Sequence, residues 1–142
     1  IALENDLFGG EDRHYTNGVR AAFLSAENNI PDWLENTANT LPFFATEGYK
    51  RWHFALGQSM FTPADTSRAE LQVTERPYAG WTYGSIGMLS DTGKRLDNLQ
   101  LSLGMVGPAS GAEHTQRFVH DIIGSGDPRG WKNQLRNEPG VM

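Results

Sequence analysis

The strongest constraint on the fold of this chain is the alternation of side chains over residues 96–106. From residue 99 to residue 105 every second residue is apolar, and these residues are Leu99, Leu101, Leu103 and Met105. A repeat of two residues matches an extended strand, because successive side chains of a strand point to opposite faces of the sheet. The segment is therefore predicted to be a strand with one apolar face and one polar or small face.

Similar alternation recurs elsewhere, and it predicts four further strands at residues 1–7, 18–25, 51–60 and 81–89. Asp91-Thr92-Gly93-Lys94 is typical of a tight hairpin turn between the last two strands. Residues 63–78 are predicted to be a polar loop. A helical turn is predicted at residues 32–39, and a helix at about residues 113–123, with Gly124 just beyond its end.

Composition limits the classes of protein that fit these strands. The 142 residues carry a net charge of −5 and no cysteine, which argues against a general nucleic-acid binder and excludes disulfides. No apolar run approaches the ~18 residues of a membrane-spanning helix. The lack of such a run does not exclude a transmembrane barrel, because every second residue of a barrel strand faces away from lipid and can be polar.

Two all-β architectures remain open on the pattern alone. Trp52, Trp81 and Tyr83 lie near strand ends, where a membrane barrel carries an aromatic girdle. A soluble sandwich or a lipocalin-like barrel shows the same alternation. The chain starts inside a predicted strand and stops after Gly140 without a predicted closing strand. We therefore expect residues 1–142 to be a partial single domain that is poorly stable and inactive alone.

Unusual short motifs fall at the ends of these strands. If the strands run up and down in chain order, all of the motifs meet at one rim of the sheet, which is typical of a site held on a rigid scaffold. In order along the chain they are Asn5-Asp6-x-Phe8, Asp12-Arg13-x-Tyr15-Thr16-Asn17-Gly18, Gly57-Gln58, Thr62-Pro63, Arg76-Pro77-Tyr78-Ala79-Gly80-Trp81, Gly104-x-Val106-Gly107-Pro108, Gln116-x-x-x-His120 and Gly130-Trp131-x-x-Gln134.

This ordered series resembles the outer-membrane lipid A 3′-O-deacylase family. The resemblance implies a twelve-stranded antiparallel transmembrane β-barrel, of which this chain covers about the first five strands and an extracellular loop helix. It also implies a carboxylic ester hydrolase of the Gram-negative outer membrane. Such an enzyme uses Ca²⁺ to remove the 3′-linked acyl chain of lipid A, with its site facing the extracellular side. The partners would be lipopolysaccharide and outer-membrane lipid; no oligomeric state follows.

The resemblance assigns roles to individual residues. His120 is the expected general base, and Gln116, one helical turn earlier, would orient the imidazole or a ligand. Thr16 matches a hydroxyl position of the family site. Arg68 falls where the family carries a functional lysine, so it would bind a phosphate or stabilise an oxyanion.

Calcium binding is expected at Asp6, because calcium takes several hard oxygen ligands. Asn5, whose amide oxygen would lie beside this carboxylate, is expected to be a catalytic residue. The family has a second acidic ligand just beyond the helix. The spacing puts Gly126 at that position, with Asp127 next to it as the candidate ligand. This departure favours a second hypothesis, a non-enzymatic outer-membrane barrel that binds lipopolysaccharide or serves as a scaffold. A third hypothesis is a soluble β-barrel that binds a small lipid.

Overall fold

The chain folds into one antiparallel sheet in which every strand pairs with its neighbours in sequence. The computed structural model describes residues 2–5, 17–45, 47–124 and 126–142, with backbone alone at residues 2–5, 17 and 123. The strands are β1 (Ala2–Asn5), β2 (Asn17–Leu24), β3 (Tyr49–Phe61), β4 (Ala79–Asp91), β5 (Leu96–Val106) and β6 (Glu138–Val141). Among the helices of these residues, none has the length and apolar character needed to cross a membrane.

The predicted strands are found, and the structure adds the short strand β6. That strand pairs with the end of β5, where Val106 lies opposite Glu138. It contains Pro139 and Gly140, two residue types that are depleted in strands, and it is too short to show alternation. These features explain why no strand was predicted there.

Two helices interrupt the strands at opposite ends of the sheet. Helix α1 (Asp32–Asn39) lies between β2 and β3, and helix α2 (Ala112–Ile123) follows β5. Gly124 ends α2 in the left-handed conformation, with φ of 67°, and its N–H donates to the carbonyl of His120. Both predicted helices and the terminating glycine are thus confirmed.

The two faces of the sheet differ in chemistry, as the alternation predicts. Directly opposite residues of β3, β4 and β5 form apolar rungs on one face, and these rungs are Trp52–Met88–Leu99 and Phe54–Ile86–Leu101. The other face, which we call the polar face, carries small or polar residues such as Ala55, Ser85 and Ser102.

The prediction of an aromatic girdle is wrong for two of its three residues. Trp52 lies on the apolar face, but Trp81 and Tyr83 lie on the polar face, stacked with ring centroids 4.5 Å apart. A Cβ added at Gly57 would meet the Tyr83 ring at 2.4 Å, so this ring covers the polar face of β3. Trp81 and Tyr83 therefore do not belong to a lipid-facing girdle. The prediction failed because it used only the position of these residues near strand ends, whereas the strand register decides which face of the sheet a side chain occupies.

The register places the described strand residues of the motifs at one rim. Asn5 lies opposite Asn17, Asn17 opposite Met60, and Met60 opposite Gly80. At the next rung Trp81 lies opposite Val106, which precedes the turn into α2. The ends of β1, β3 and β5 and the beginnings of β2 and β4 therefore meet on the side of the sheet from which α2 starts.

Gly80 sets how closely α2 approaches this rim. A Cβ added at Gly80 would lie 2.2 Å from both the Ala112 Cβ and the Ser110 Oγ. We expect Gly80→Ala to displace the start of α2 and to lower the free energy of unfolding by about 1–3 kcal/mol, the usual cost of overpacking. Thermal unfolding of the intact gene product in detergent measures this effect.

Gly84→Ala is the matched control in the same strand. A Cβ at Gly84 would sit 3.6 Å from a Leu56 methyl group, an ordinary contact. We expect no measurable loss of stability for this variant. Equal unfolding temperatures for the two variants would show that α2 does not rest on Gly80.

Candidate functional site

The turn that starts α2 is fixed to the rim by hydrogen bonds from two strands. The carbonyl of Ser110 accepts a bond from Gln58 Nε2 at 2.7 Å and one from Thr82 Oγ1 at 2.6 Å. Gln58 Nε2 also donates to Thr82 Oγ1 at 3.0 Å. Since Gln58 is on β3 and Thr82 is on β4, the beginning of α2 is held by both strands at once.

A buried hydrogen bond joins α2 to the segment that follows it. Residues 126–134, which we call the strap, return across the rim after α2. Trp131 of the strap is 1% exposed, and its Nε1 donates to Gln116 Oε1 at 2.7 Å. Gln116 is itself only 4% exposed. This contact favours a positioning role for Gln116, because its side-chain oxygen already has a buried donor.

The strap also orients His120. Nδ1 of His120 lies 2.6 Å from the carbonyl oxygen of Gly126. A carbonyl oxygen only accepts, so Nδ1 carries the proton and donates it in this contact. In the neutral imidazole the other nitrogen, Nε2, then holds a free lone pair. The arrangement therefore selects the tautomer that a general base requires.

The loop of residues 62–78 is tied to the strap along its length. The backbone N–H of Arg129 donates to the Thr66 carbonyl at 3.0 Å, and the side-chain Nδ2 of Asn133 donates to the Ala69 carbonyl at 3.0 Å. The Tyr78 ring packs on Trp131 with centroids 5.0 Å apart, and burial raises the pKa of its phenol. The loop that carries Arg68 and the helix that carries His120 thus share one support.

Arg68 lies in that loop and is paired with a carboxylate. Its Nε is 3.3 Å from Asp65 Oδ2, and its side chain is exposed. Hydrogen bonds from the Ser67 side chain and backbone, with the Arg68 charge, hold the pKa of Asp65 below its ordinary value. Asp65 is therefore ionised at neutral pH. Both residues line an open cavity of about 730 Å³ formed by residues 64–75.

Two of the predicted site residues lie outside the described residues, namely Asp6 and Thr16. Asn5 is described in its backbone only, at the rim end of β1. Asp127 is exposed on the strap, next to Gly126. Within the described part of the chain, no three His, Asp or Glu residues come together as a group that could hold a metal ion. The calcium site therefore stays a prediction.

Sequence reasoning gave no role to the residues that build the support. Three of these residues, Gln58, Tyr78 and Trp131, belong to motifs on which the family resemblance rests. The residues that they contact are far from them in sequence. Trp131 has a visible signal, since a lone tryptophan between Gly130 and Lys132 in a polar segment indicates an anchor. The bonds of Gln58 and Tyr78 depend on strand register and have no such signal.

The comparison with known protein families agrees with this geometry. The outer membrane protein LpxR family matches residues 1–142. This chain belongs to that family. The family assignment confirms the resemblance, and it supports an outer-membrane location over a soluble β-fold. A search of curated proteins finds no match.

A solved structure with the same fold is LpxR from Salmonella typhimurium. It superposes with a TM-score of 0.69 over 92% of this chain, at 21% sequence identity. The predicted antiparallel membrane barrel is thereby confirmed as the fold. The chain spans 39% of the length of that structure, so it corresponds to part of the barrel.

The bond between Gln116 and Trp131 can be measured by a double-mutant cycle. Trp131→Phe and Gln116→Leu each leave a buried polar atom unpaired, which costs about 1–3 kcal/mol, whereas the double variant leaves none. We expect the double variant to be more stable than the sum of the single losses predicts. Urea unfolding of the intact gene product checks this.

The exposed pair of Glu113 and Arg117, 3.0 Å apart on α2, supplies the control cycle. We expect its coupling to stay below about 0.5 kcal/mol, as for exposed helical ion pairs. A coupling of similar size in both cycles would contradict the buried bond.

Proposed function

We propose that the protein of which this chain is part hydrolyses the 3′-linked acyl ester of lipid A at the extracellular surface of the outer membrane. The observation that carries the proposal is the bond from His120 Nδ1 to the Gly126 carbonyl. It sets the imidazole in the tautomer of a base at a rim built from several strands. The family assignment supports lipid A as the substrate class.

In the proposed reaction, His120 Nε2 accepts a proton from a water molecule, and the water oxygen attacks the ester carbonyl. The bond between the carbonyl carbon and the sugar oxygen then breaks. The imidazolium returns its proton to that oxygen, so the products are a free fatty acid and a sugar hydroxyl. Because Nδ1 keeps its bond to Gly126 throughout, the ring does not need to turn between the two proton transfers.

The developing oxyanion needs positive charge or hydrogen-bond donors close to it. Arg68 is proposed for this role, or for binding a lipid A phosphate. Its pairing with ionised Asp65 holds the guanidinium in the loop next to the strap. Thr16 is proposed to hold the substrate or the water.

Calcium is proposed as the cofactor, with Asp6 and Asp127 as ligands and Asn5 as a catalytic residue beside Asp6. The two aspartates supply carboxylate oxygens, which fit calcium in type. When bound at the rim, the ion would polarise the ester carbonyl. Asp127 stands beside the carbonyl that holds His120, so a ligand on the strap would also stiffen the support of the base.

His120→Ala should abolish deacylation. General-base catalysis contributes about 10²–10⁴-fold, so the variant should leave lipid A unmodified on the timescale of growth. Mass spectrometry of lipid A from cells that express the intact gene, with or without the substitution, measures the loss of a 3-hydroxyacyl group.

His114→Ala is the control, because His114 is an exposed histidine on the same helix. It should leave the lipid A profile of the parent unchanged. If the His120→Ala variant deacylates like the parent, His120 is not the base. If the parent protein inserts normally but leaves lipid A unmodified, the proposal of a deacylase is wrong. The second hypothesis, a non-enzymatic barrel that binds lipopolysaccharide or serves as a scaffold, then replaces it.

Gly126→Asp should lower the calcium concentration needed for half-maximal deacylation. A Cβ at Gly126 would meet nothing within 4 Å, so the position accepts a side chain, and the carboxylate adds an oxygen ligand. Assays of the purified intact gene product in calcium buffers measure this concentration.

Gly126→Asn has nearly the same volume without the charge and serves as the control, with a smaller expected shift. Excess EGTA should stop the parent and both variants. Deacylation that continues in excess EGTA would remove calcium from the mechanism.

A further inference from the structure

The connection between β2 and β3 covers one end of the apolar face. Within this connection, residues 30–45 contain α1 and the chain that follows it, and we call them the insert. Leu34, Ala38 and Phe44 of the insert are buried in a cluster with Met88, and Trp52 and Leu99 pack against this cluster. These last three form one rung of the apolar face. The insert therefore lies on the apolar face, at the end far from α2.

Bonds to the sheet hold the insert in place. Lys50 Nζ lies 2.6 Å from Glu35 Oε1, and the backbone N–H of Ala45 donates to Asp97 Oδ2 at 2.8 Å. Arg95 donates to the carbonyl of Phe43 at 2.5 Å. With the backbone of residues 43 and 45 fixed on both sides of buried Phe44, the Phe43 side chain is held outward.

Two large apolar side chains of the insert are exposed, Trp33 at 59% and Phe43 at 62%. On α1, Trp33 and Glu35 are separated by about 200° around the helix axis, at about 100° per residue. Glu35 reaches Lys50 in the second residue of β3. The Trp33 side chain therefore projects from the helix on the side opposite the ion pair of Glu35 and Lys50. That ion pair lies at the beginning of β3.

The exposed apolar surface of the strands is short for a membrane wall. From Leu99 to Met105 the apolar row of β5 measures about 20 Å at roughly 3.3 Å per residue. At a strand tilt of about 40° this gives about 15 Å of height, against an apolar band of about 25 Å in outer-membrane barrels. The insert covers the rung that contains Leu99, at which the apolar row of β5 begins. The outer surface of the insert therefore extends the apolar band of the strands.

We propose that the insert is an interfacial anchor, with Trp33 and Phe43 seated at the boundary between headgroups and acyl chains of the phospholipid leaflet opposite the candidate site. The surface is continuous with the lipid-facing side of the wall. Tryptophan is the side chain that favours this depth, because its ring is apolar and its N–H is polar. Asn36, an exposed polar residue of α1, suits contact with headgroups.

Environment-sensitive labels test the anchor. Trp33→Cys, Phe43→Cys and Asn39→Cys are made singly in the intact gene product, any cysteine elsewhere replaced by serine. Each is coupled to a nitrobenzoxadiazole dye and folded into phosphatidylethanolamine–phosphatidylglycerol vesicles. Asn39 is the control because it is an exposed residue of the same helix on the Glu35 side. We expect emission at shorter wavelength, and stronger quenching by headgroup-level nitroxide lipids, at positions 33 and 43 than at 39.

Equal, water-like emission from all three labels would overturn the proposal. So would a shift at positions 33 and 43 that disappears when the protein is diluted into more lipid, because that result assigns the surface to a second copy of the protein. A shift without nitroxide quenching would assign it to another part of the same chain and overturn the proposal as well.

Insertion gives an independent measurement that does not depend on the labels or on enzymatic activity. Trp33→Glu combined with Phe43→Glu should reduce the fraction of protein that folds into vesicles, seen as heat-modifiable mobility in gels, while folding in detergent micelles is retained. Asn39→Glu is the matched control and should insert like the parent. Equal insertion of the double variant and the control would overturn the anchor.

Discussion

Every functional feature of this chain depends on the register of consecutive antiparallel strands. Because each strand pairs with its neighbour in sequence, alternate connections fall on opposite ends of the sheet. The connections that carry the motifs meet at one end, and the insert occupies the other. The same register separates the apolar face from the polar face. A slip of one residue in any strand would exchange its two faces, so both burial in lipid and assembly of the rim rest on one set of pairings.

The strap turns this rim into a rigid support. Trp131 bonds to Gln116 on α2 and packs on Tyr78 at the start of β4, so one buried ring joins three parts of the chain. The carbonyl of Gly126 accepts a hydrogen bond from His120 Nδ1, and this bond fixes the orientation of the imidazole. The imidazole of His120 is therefore positioned by contacts that form when the chain folds, before any substrate binds.

Features of the fold and of the candidate site could be predicted from the sequence where they depend on neighbouring residues, but not where they depend on contacts between residues far apart in the chain. The first five strands, both α-helices and the left-handed Gly124 follow from local periodicity and residue type, and they were predicted. The face of Trp81 and Tyr83 was not, because it depends on register across strands. The support provided by Trp131 was missed for the same reason. Its partner Gln116 stands fifteen residues away and was predicted to orient a ligand or the imidazole, and the structure adds that its side-chain oxygen accepts a hydrogen bond from the indole.

The way in which His120 is held bears on Gly126, the position at which the resemblance to the family implies an acidic calcium ligand. The residue contributes its backbone carbonyl to the imidazole and no side chain to a ligand set. A carbonyl bond depends on the path of the chain and not on the side chain at that position. The side chain at this position can therefore change while the tautomer of His120 is preserved. Under the proposed function, the orientation of the base and the affinity for calcium are separable at this residue, and the open space around Gly126 allows a single substitution to change the affinity alone.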